Sequence, residues 1–408
     1  MSSTRIRTVE EHAEVVAELL PPTPVVTVPL GRARGRVLAT DVVAAVSIPS
    51  FDNSAMDGYA VRAAELAGAT AEAPVELPVA ADIPAGRTDV PPLAPGTVAR
   101  IMTGAPMPDG ADAVLPVEQT DAGTERVRLH AQPDEGAYVR RAGEDTVAGD
   151  VVLTAGTVLG AAHIGLAAAV GAGTVDVRRR PRVLVLSTGS ELVAPGTPLQ
   201  HGQIYESNGP MLAAAVEDAG GEAELLRFVP DDVDEFLATL ARRVRDGAVD
   251  LVLTSGGVSA GAYEVVKDAL TGRGVTFTKV GMQPGGPQGA GRVPELGDVA
   301  VVTLPGNPVS SLVSFEVFVR PALRTALGHP QPHRPVRTAV LAERLTSPAG
   351  KRQYRRGVFT ETGEVREIGT SASHRLGALA RAECLIVLPE DVTEAVEGHP
   401  VEVWPLHH

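Results

Sequence analysis

The chain has 408 residues, more than one hydrophobic core usually organises, so about two to four domains are expected. A formal charge of −14 argues against nonspecific nucleic-acid binding, which needs basic surface to displace counterions. No run approaches the roughly 20 uninterrupted apolar residues of a membrane span, and the start MSSTRIRTVEEHAEVV lacks an apolar signal core, so a cytoplasmic protein without membrane or nucleic-acid partners is expected.

The N-terminus opens with a helix signature. Thr8 and Glu11 fit a capping box, Val9, Ala13, Val16 and Leu20 share one face, and Pro21–Pro22 stops the run. From about Val25 to Val177 short Val-rich runs alternate with Pro and Gly, as in VELPVAADIPAG, which suggests β-rich, loop-heavy modules. An Ala-rich helical interlude near Gly160–Val170 closes this region.

The texture changes at RRRPRVLVLSTGSEL. From Arg182 to about Leu327 strand runs (RVLVLS, EAELLRFV, DLVLTS, VTFTKV, VAVVTL) alternate with helical stretches. One helix opens near Asn208 and Pro210 and ends at Gly220–Gly221. The next is capped by Asp231 or Asp232 and carries the stripe Val233, Phe236, Leu237, Leu240, Val244. Such alternation predicts an α/β domain, a parallel or mixed sheet with flavodoxin-like layering. RPALRTALGHPQPHRP reads as a proline-rich linker, and from about Val336 onward short strands predict a small β-barrel or sandwich. Cys384, the single cysteine, excludes intramolecular disulfides and cysteine-pair zinc motifs, and its place in CLIVLP predicts a buried inert thiol.

Ligands of open α/β sheets bind beyond the carboxyl ends of the strands. Three strands here end in loops of small and hydroxylated residues: STGSEL, with Ser187, Thr188 and Gly189; TSGGVSAG, with Ser255, Gly256, Gly257 and Ser259; and LPGNPVSS, with Pro305, Gly306, Asn307, Pro308 and Ser310. On an acidic protein an anion must be held by such local features, backbone N–H groups and helix N-termini foremost. Together the loops point to a phosphate or nucleotide pocket. Glu191 and Glu264 follow two of them; each reads equally as a solvated loop residue or cap, but as a pair they suit Mg²⁺ shared with substrate phosphates. Taken alone, FDNSAMDGYAVR (51–62) reads as an Asx-turn cluster capping a short helix, and IMTGAPMPDGADAV and RRAGEDTVAGD read as hairpins.

Those three segments, with STGSEL, GQIYESN, TSGGVSAG, LPGNPVS and SASHRLGALARAECLIVLP, stand in an order that resembles the molybdopterin molybdenumtransferase (MoeA) family, to which the gephyrin E domain is similar. The resemblance covers nearly the whole chain. It implies an elongated homodimer whose subunits have an N-terminal dimerisation domain (1–45 and 143–178), an inserted β-rich domain (46–142), an α/β molybdopterin-binding domain (179–330) and a C-terminal β-barrel (334–408). It further implies the last general step of molybdenum-cofactor assembly, in which adenylylated molybdopterin and molybdate give the cofactor and AMP with Mg²⁺ present. The molybdopterin adenylyltransferase is a further partner on this view. The site is expected between the α/β domain of one subunit and the insert of the other.

By the same resemblance Asp57, Thr103, Arg140 and Asp145 match functional positions in and beside the insert. Glu191, Asp231, Glu264, Pro305, Pro308 and Ser310 match in the α/β domain, and Arg356 and Ser373 in the last. Asp57, Asp145, Glu191 and Glu264 are the expected catalytic carboxylates, Glu191 and Glu264 the metal ligands, and Arg356 a neutraliser of molybdate. Two departures stand out. The family often has Asp where this chain has Glu264. It commonly has lysines at the positions of Gln283 and Gly286, whose absence predicts weaker molybdate binding, since charged hydrogen bonds contribute roughly 1.5–3 kcal/mol each. Two other readings are adenylyl transfer to molybdopterin, from the α/β domain's likeness to that enzyme, and a non-catalytic paralogue serving as a binding scaffold.

Overall fold

The structure is a computed structural model; it describes residues 6–189, 191–226, 232–256 and 265–406. Its centre is a six-stranded sheet in the order Glu222–Leu226, Arg182–Ser187, Leu251–Ser255, Val299–Leu304, Pro287–Val293, Val275–Lys279. The first four run parallel, Pro287–Val293 runs antiparallel to both of its neighbours, and Val275–Lys279 therefore runs in the direction of the first four. The largely apolar sequences of the three central strands, Arg182–Ser187, Leu251–Ser255 and Val299–Leu304, follow from burial on both faces. Val183 and Val185 enter one core with Leu251, Leu253, Val302 and Leu304, whereas Leu184 and Leu186 enter the other with Val252, Val301 and Phe236. Helices Asn208–Asp218 and Pro308–Ser314 cover the first face, and Val233–Gly247 with Val265–Leu270 covers the second. Asp232 caps Val233–Gly247, accepting from the Glu235 N–H at 2.9 Å.

Pro287–Val293 was not legible as a strand in GMQPGGPQGAGRV. It pairs antiparallel with Val299–Leu304, and the sheet is mixed as a result. The N-terminal helix, Val9–Leu19, is closed by the capping box: the Glu11 N–H donates to Thr8 Oγ1 at 3.1 Å and the Thr8 N–H to Glu11 Oε2 at 3.0 Å. Its buried residues Val9, Val16 and Leu19 join the core of the α/β sheet, packing on Phe315–Val319 and Arg320–Ala326.

Strand Val25–Pro29 pairs with Thr174–Arg178, and Val42–Val43 with Val151–Leu153, around a core of Leu38, Val42, Leu159, Ala167 and Val177. Between these halves lies a five-stranded sheet in the order Ala113–Pro116, Gly58–Val61, Val98–Ile101, Val75–Ile83, Arg126–Leu129. FDNSAMDGYAVR forms a turn there, with the Met56 N–H on Ser54 Oγ at 3.2 Å, and leads into strand Gly58–Val61, not a helix. At the C-terminus an open half-barrel, Arg352–Phe359 to Cys384–Leu388 to Pro400–Pro405 to Arg337–Val340, encloses Leu341, Ile386 and Val403. Cys384 is buried there, which pushes its thiol pKa up to about 12.

The proline-rich stretch before this half-barrel is strapped to the preceding helix. Arg320 Nη1 donates to the Pro332 carbonyl and Arg324 Nε to that of Gln331, both at 3.1 Å. Arg334 grips buried Glu316 through Nε and Nη2 at 2.8 and 3.0 Å. Met282–Gln283 pairs parallel with Arg352 and Gln353 of the half-barrel, a second tie between the two domains.

Candidate functional site

Parallel pairing in register brings Ser187 beside Ser255 and Ser255 beside Leu304, so the three loops leave the sheet side by side. Contacts between them are close. The Thr188 N–H donates to the Ser255 carbonyl at 3.3 Å and the Gly256 N–H to that of Leu304 at 3.0 Å. Gly256 has φ +99°, and a Cβ there would lie 2.9 Å from the Thr188 carbonyl oxygen, so only glycine fits between its neighbours. A Cβ on Gly306 would lie 3.4 Å from Gly256 Cα, which puts the third loop against the second.

Side chains stitch the tips together. Ser255 is 2% exposed. Its hydroxyl receives Asn208 Nδ2 at 2.8 Å and Ser311 Oγ at 3.1 Å, and lies 3.4 Å from the Pro305 carbonyl. Asn208 Nδ2 also donates to the Gly306 carbonyl at 2.6 Å. Asn208, read from the sequence only as a helix start, and Ser311 were not named as site residues, although GQIYESN and LPGNPVSS contain them. Ser310 is buried beside Ser311 at the start of helix Pro308–Ser314, which opens with Pro308 after Asn307. Ser187 Oγ and Asn208 Oδ1 are buried polar atoms with no partner among the described residues. Buried polar atoms are nearly always paired, so such vacancies at the tips are where a ligand's polar groups would fit.

Glu191 is exposed, and its carboxylate lies over Gly189, where a Cβ would be 2.6 Å from Oε2 and 2.7 Å from Oε1. Asp231, Gly257, Ser259 and Glu264 lie outside the described residues, and so does the pairing of Glu191 with Glu264. Among the described residues no group of three His, Cys, Asp or Glu side chains is arranged to hold a metal. Mg²⁺ needs fewer protein ligands when substrate phosphates supply the rest, and exposed Glu191 at the cradle's edge fits that use.

The half-barrel contributes Ser373. Its hydroxyl accepts from Asn307 Nδ2 at 3.0 Å and its carbonyl from the Val309 N–H at 3.2 Å, so it joins the third loop. Arg356, expected to neutralise molybdate, lies in the half-barrel strand Arg352–Phe359. It is 2% exposed, and its guanidinium donates to the Ala372 carbonyl at 2.9 Å and to the Thr370 carbonyl. In this structure it braces the loop that carries Ser373, and burial lowers its pKa. Gln283 accepts from Gln353 Nε2 at 3.2 Å across the seam between domains, whereas the Gly286 carbonyl accepts from the Val280 N–H at 2.7 Å within the α/β domain.

A second group sits on the insert. Asp57 Oδ1 accepts from the Thr103 N–H at 2.6 Å and from Thr103 Oγ1 at 2.8 Å. Those two bonds, with attraction from Arg100, hold its carboxyl below the usual carboxylate range, so the exposed group stays ionised. Exposed Arg140 pairs through its backbone with Asn53, and the N–H of exposed Asp145 donates to the Ile48 carbonyl at 3.0 Å. Beside them Asp52 takes Arg141 Nη1 at 2.6 Å and the Ala142 N–H at 2.8 Å, a clamp not anticipated from sequence. Among the described residues no hydrogen bond or ion pair joins this group to the strand-tip loops of the same chain.

Comparison with known proteins follows the same division of the chain. Residues 7–171 match the family model described as the MoeA N-terminal region (domain I and II), 184–325 the probable molybdopterin binding domain, and 338–406 the MoeA C-terminal region (domain IV). Molybdopterin molybdenumtransferase 2 of Mycobacterium tuberculosis is 55% identical over 98% of this chain and 100% of its own length. Molybdopterin molybdenumtransferase 1 of the same organism is 38% identical over 98% of both chains. The crystal structure of the molybdopterin biosynthesis MoeA protein from Pyrococcus horikosii superimposes with a TM-score of 0.82 at 31% identity, covering 99% of this chain and 100% of that one. With its full length matched by sequence and by fold, the chain belongs to the MoeA family.

Proposed function

We propose that the protein is a molybdopterin molybdenumtransferase, which inserts molybdenum from molybdate into adenylylated molybdopterin and releases AMP. The observation that carries the reading is the convergence of three hydroxyl- and glycine-rich loops at adjacent parallel strand ends, with two buried polar atoms left without partners among the described residues. An anionic phosphoanhydride suits such a cradle because backbone N–H groups supply positive potential that the net-acidic protein otherwise lacks. Glu191, with Glu264, would hold Mg²⁺, which would offset charge on the phosphates as the anhydride bond breaks. Ser187, Thr188, Ser255 and Asn307 would orient the nucleotide, and Ser373 would close the cradle from the half-barrel side.

In this reading the Asp57 group comes from a second copy of the chain. Val43, Val46, Val147 and Val151 support an interface between copies: they are 51%, 43%, 53% and 51% exposed, and Val43 and Val151 are register partners. Exposed apolar clusters of this kind mark interaction surfaces. Thr103 pre-orients the Asp57 carboxylate, so little ordering is required when the cleft is assembled.

The test is direct. Supplied with adenylylated molybdopterin, molybdate and Mg²⁺, the purified protein should release AMP in step with formation of active cofactor. No release at any molybdate concentration rules the reading out. ATP-dependent adenylylation of free molybdopterin by the same preparation would instead place it one step earlier.

A further inference from the structure

We propose that Asn208 is a positioning residue for this reaction, clamping the second and third strand-tip loops at the spacing the anionic substrate requires. The proposal rests on reading those loops as the phosphate cradle. Asn208 opens the helix Asn208–Asp218, and its Nδ2 reaches both loops, with Ser255 Oγ at 2.8 Å and the Gly306 carbonyl at 2.6 Å. A carbonyl oxygen only accepts, so the amide nitrogen must face Gly306, which fixes the side chain's orientation. The bond to Ser255 Oγ ties Asn208 in turn to Ser311, 3.1 Å from the same hydroxyl.

At their bases the two loops are also tied by Ser255 Oγ, 3.4 Å from the Pro305 carbonyl, and by the Gly256 N–H on the Leu304 carbonyl at 3.0 Å. Gly256 and Gly306 carry no side chains, and a Cβ added to Gly306 would already lie 3.4 Å from Gly256 Cα. A helix anchored in the hydrophobic core through Leu212, Ala215 and Val216 thus adds, through one amide, the side-chain bond that reaches Gly306 beyond those ties. Asn208 need not touch the reacting atoms to matter. Displacing either loop moves the N–H groups that face the phosphates, and small errors in placement weaken such contacts steeply.

Two near-isosteric variants test this. Asn208→Leu keeps the volume and removes both donated bonds, and Asn208→Asp keeps the shape and places a carboxylate against the Gly306 carbonyl. Both should fold with a thermal midpoint near wild type. In both, the Kd for AMP and the KM for adenylylated molybdopterin should rise about 10- to 30-fold, as expected for two lost neutral hydrogen bonds, while the KM for molybdate stays within about two-fold. Lowering the pH from 8 to 5 should restore part of the AMP affinity in Asn208→Asp alone, because the protonated carboxyl regains a donor to Gly306. Wild-type affinity for AMP in Asn208→Leu overturns the proposal. So does a loss that strikes both KM values alike together with a lowered thermal midpoint, since that marks a purely structural residue. If the wild-type chain binds AMP and only the variants' behaviour is unaltered, the phosphate cradle stands and the clamp falls; if wild type binds neither AMP nor the adenylylated substrate, the cradle fails first.

Discussion

His12 faces Phe318 edge-on with ring centroids 4.7 Å apart, is 0% exposed, and neither of its ring nitrogens has a partner among the described residues. Burial, with help from nearby Arg7, lowers its pKa from 6.5 to about 4, so the folded chain keeps it neutral. Between those values the unfolded chain binds a proton that the folded one refuses. Stability is therefore complete above about 6.5 and declines as pH falls toward 4, by on the order of 3 kcal/mol across the window. His329, lowered to about 4 chiefly by burial and then by Arg324, acts in the same direction. Replacing His12 by Leu removes one of the two titrations. In urea unfolding His12→Leu should equal or exceed wild type at pH 7.5, and at pH 5 should gain about 2 kcal/mol relative to it. An identical pH dependence in the two proteins would mean that the ring is accessible to solvent.

Among the elements, Pro287–Val293 shows best what sequence reading could and could not reach. Arg182–Ser187, Leu251–Ser255 and Val299–Leu304 are apolar β-branched runs and were legible as buried strands. PQGAGRV carries the glycines and proline that ordinarily demote a strand. The reason they are present lies in neighbours far along the chain: a Cβ on Gly289 would be 2.3 Å from Thr303 Oγ1, and one on Gly291 would be 2.0 Å from the Gly274 carbonyl oxygen. Gly291→Ala should thus cost at least about 2–3 kcal/mol or prevent folding, because backbone cannot yield as a flexible side chain can. Gly165→Ala, in a helix with nothing within 4 Å of the added methyl, should instead raise stability by up to about 1 kcal/mol. Thermal melts of the two variants separate the cases, and equal effects would sink the close-packing account. The site divides likewise. Glycine loops at strand ends announce themselves locally, whereas Asn208 gains its role from partners 47 and 98 residues away and gives no local signal. Arg356 is conspicuous in the sequence as a cation, but its bonds from Nη1 and Nη2 to the Ala372 and Thr370 carbonyls could be seen only in the fold.

At the scale of the whole molecule, the two groups of polar residues lie in different domains. The Asp57 group is built on the inserted sheet and the three loops on the central one, and the paired strands Val42–Val43 and Val151–Leu153 flank the insert in the chain. If a twofold dimer completes the cleft, Asp57 of one copy must work with Glu191 of the other, and the arrangement can be tested by mixing two inactive proteins. Asp57→Asn and Glu191→Gln should each be dimeric and release no AMP. In a heterodimer of the two, one cleft receives both substitutions and the other receives neither. Random reassortment gives half heterodimers with one intact cleft in two, so equimolar mixing should restore about a quarter of wild-type AMP release. A cleft built within one chain behaves otherwise, since every cleft then keeps one substitution however the chains associate. Mixed samples that contain verified heterodimers yet stay inactive would therefore assign Asp57 to its own subunit's loops.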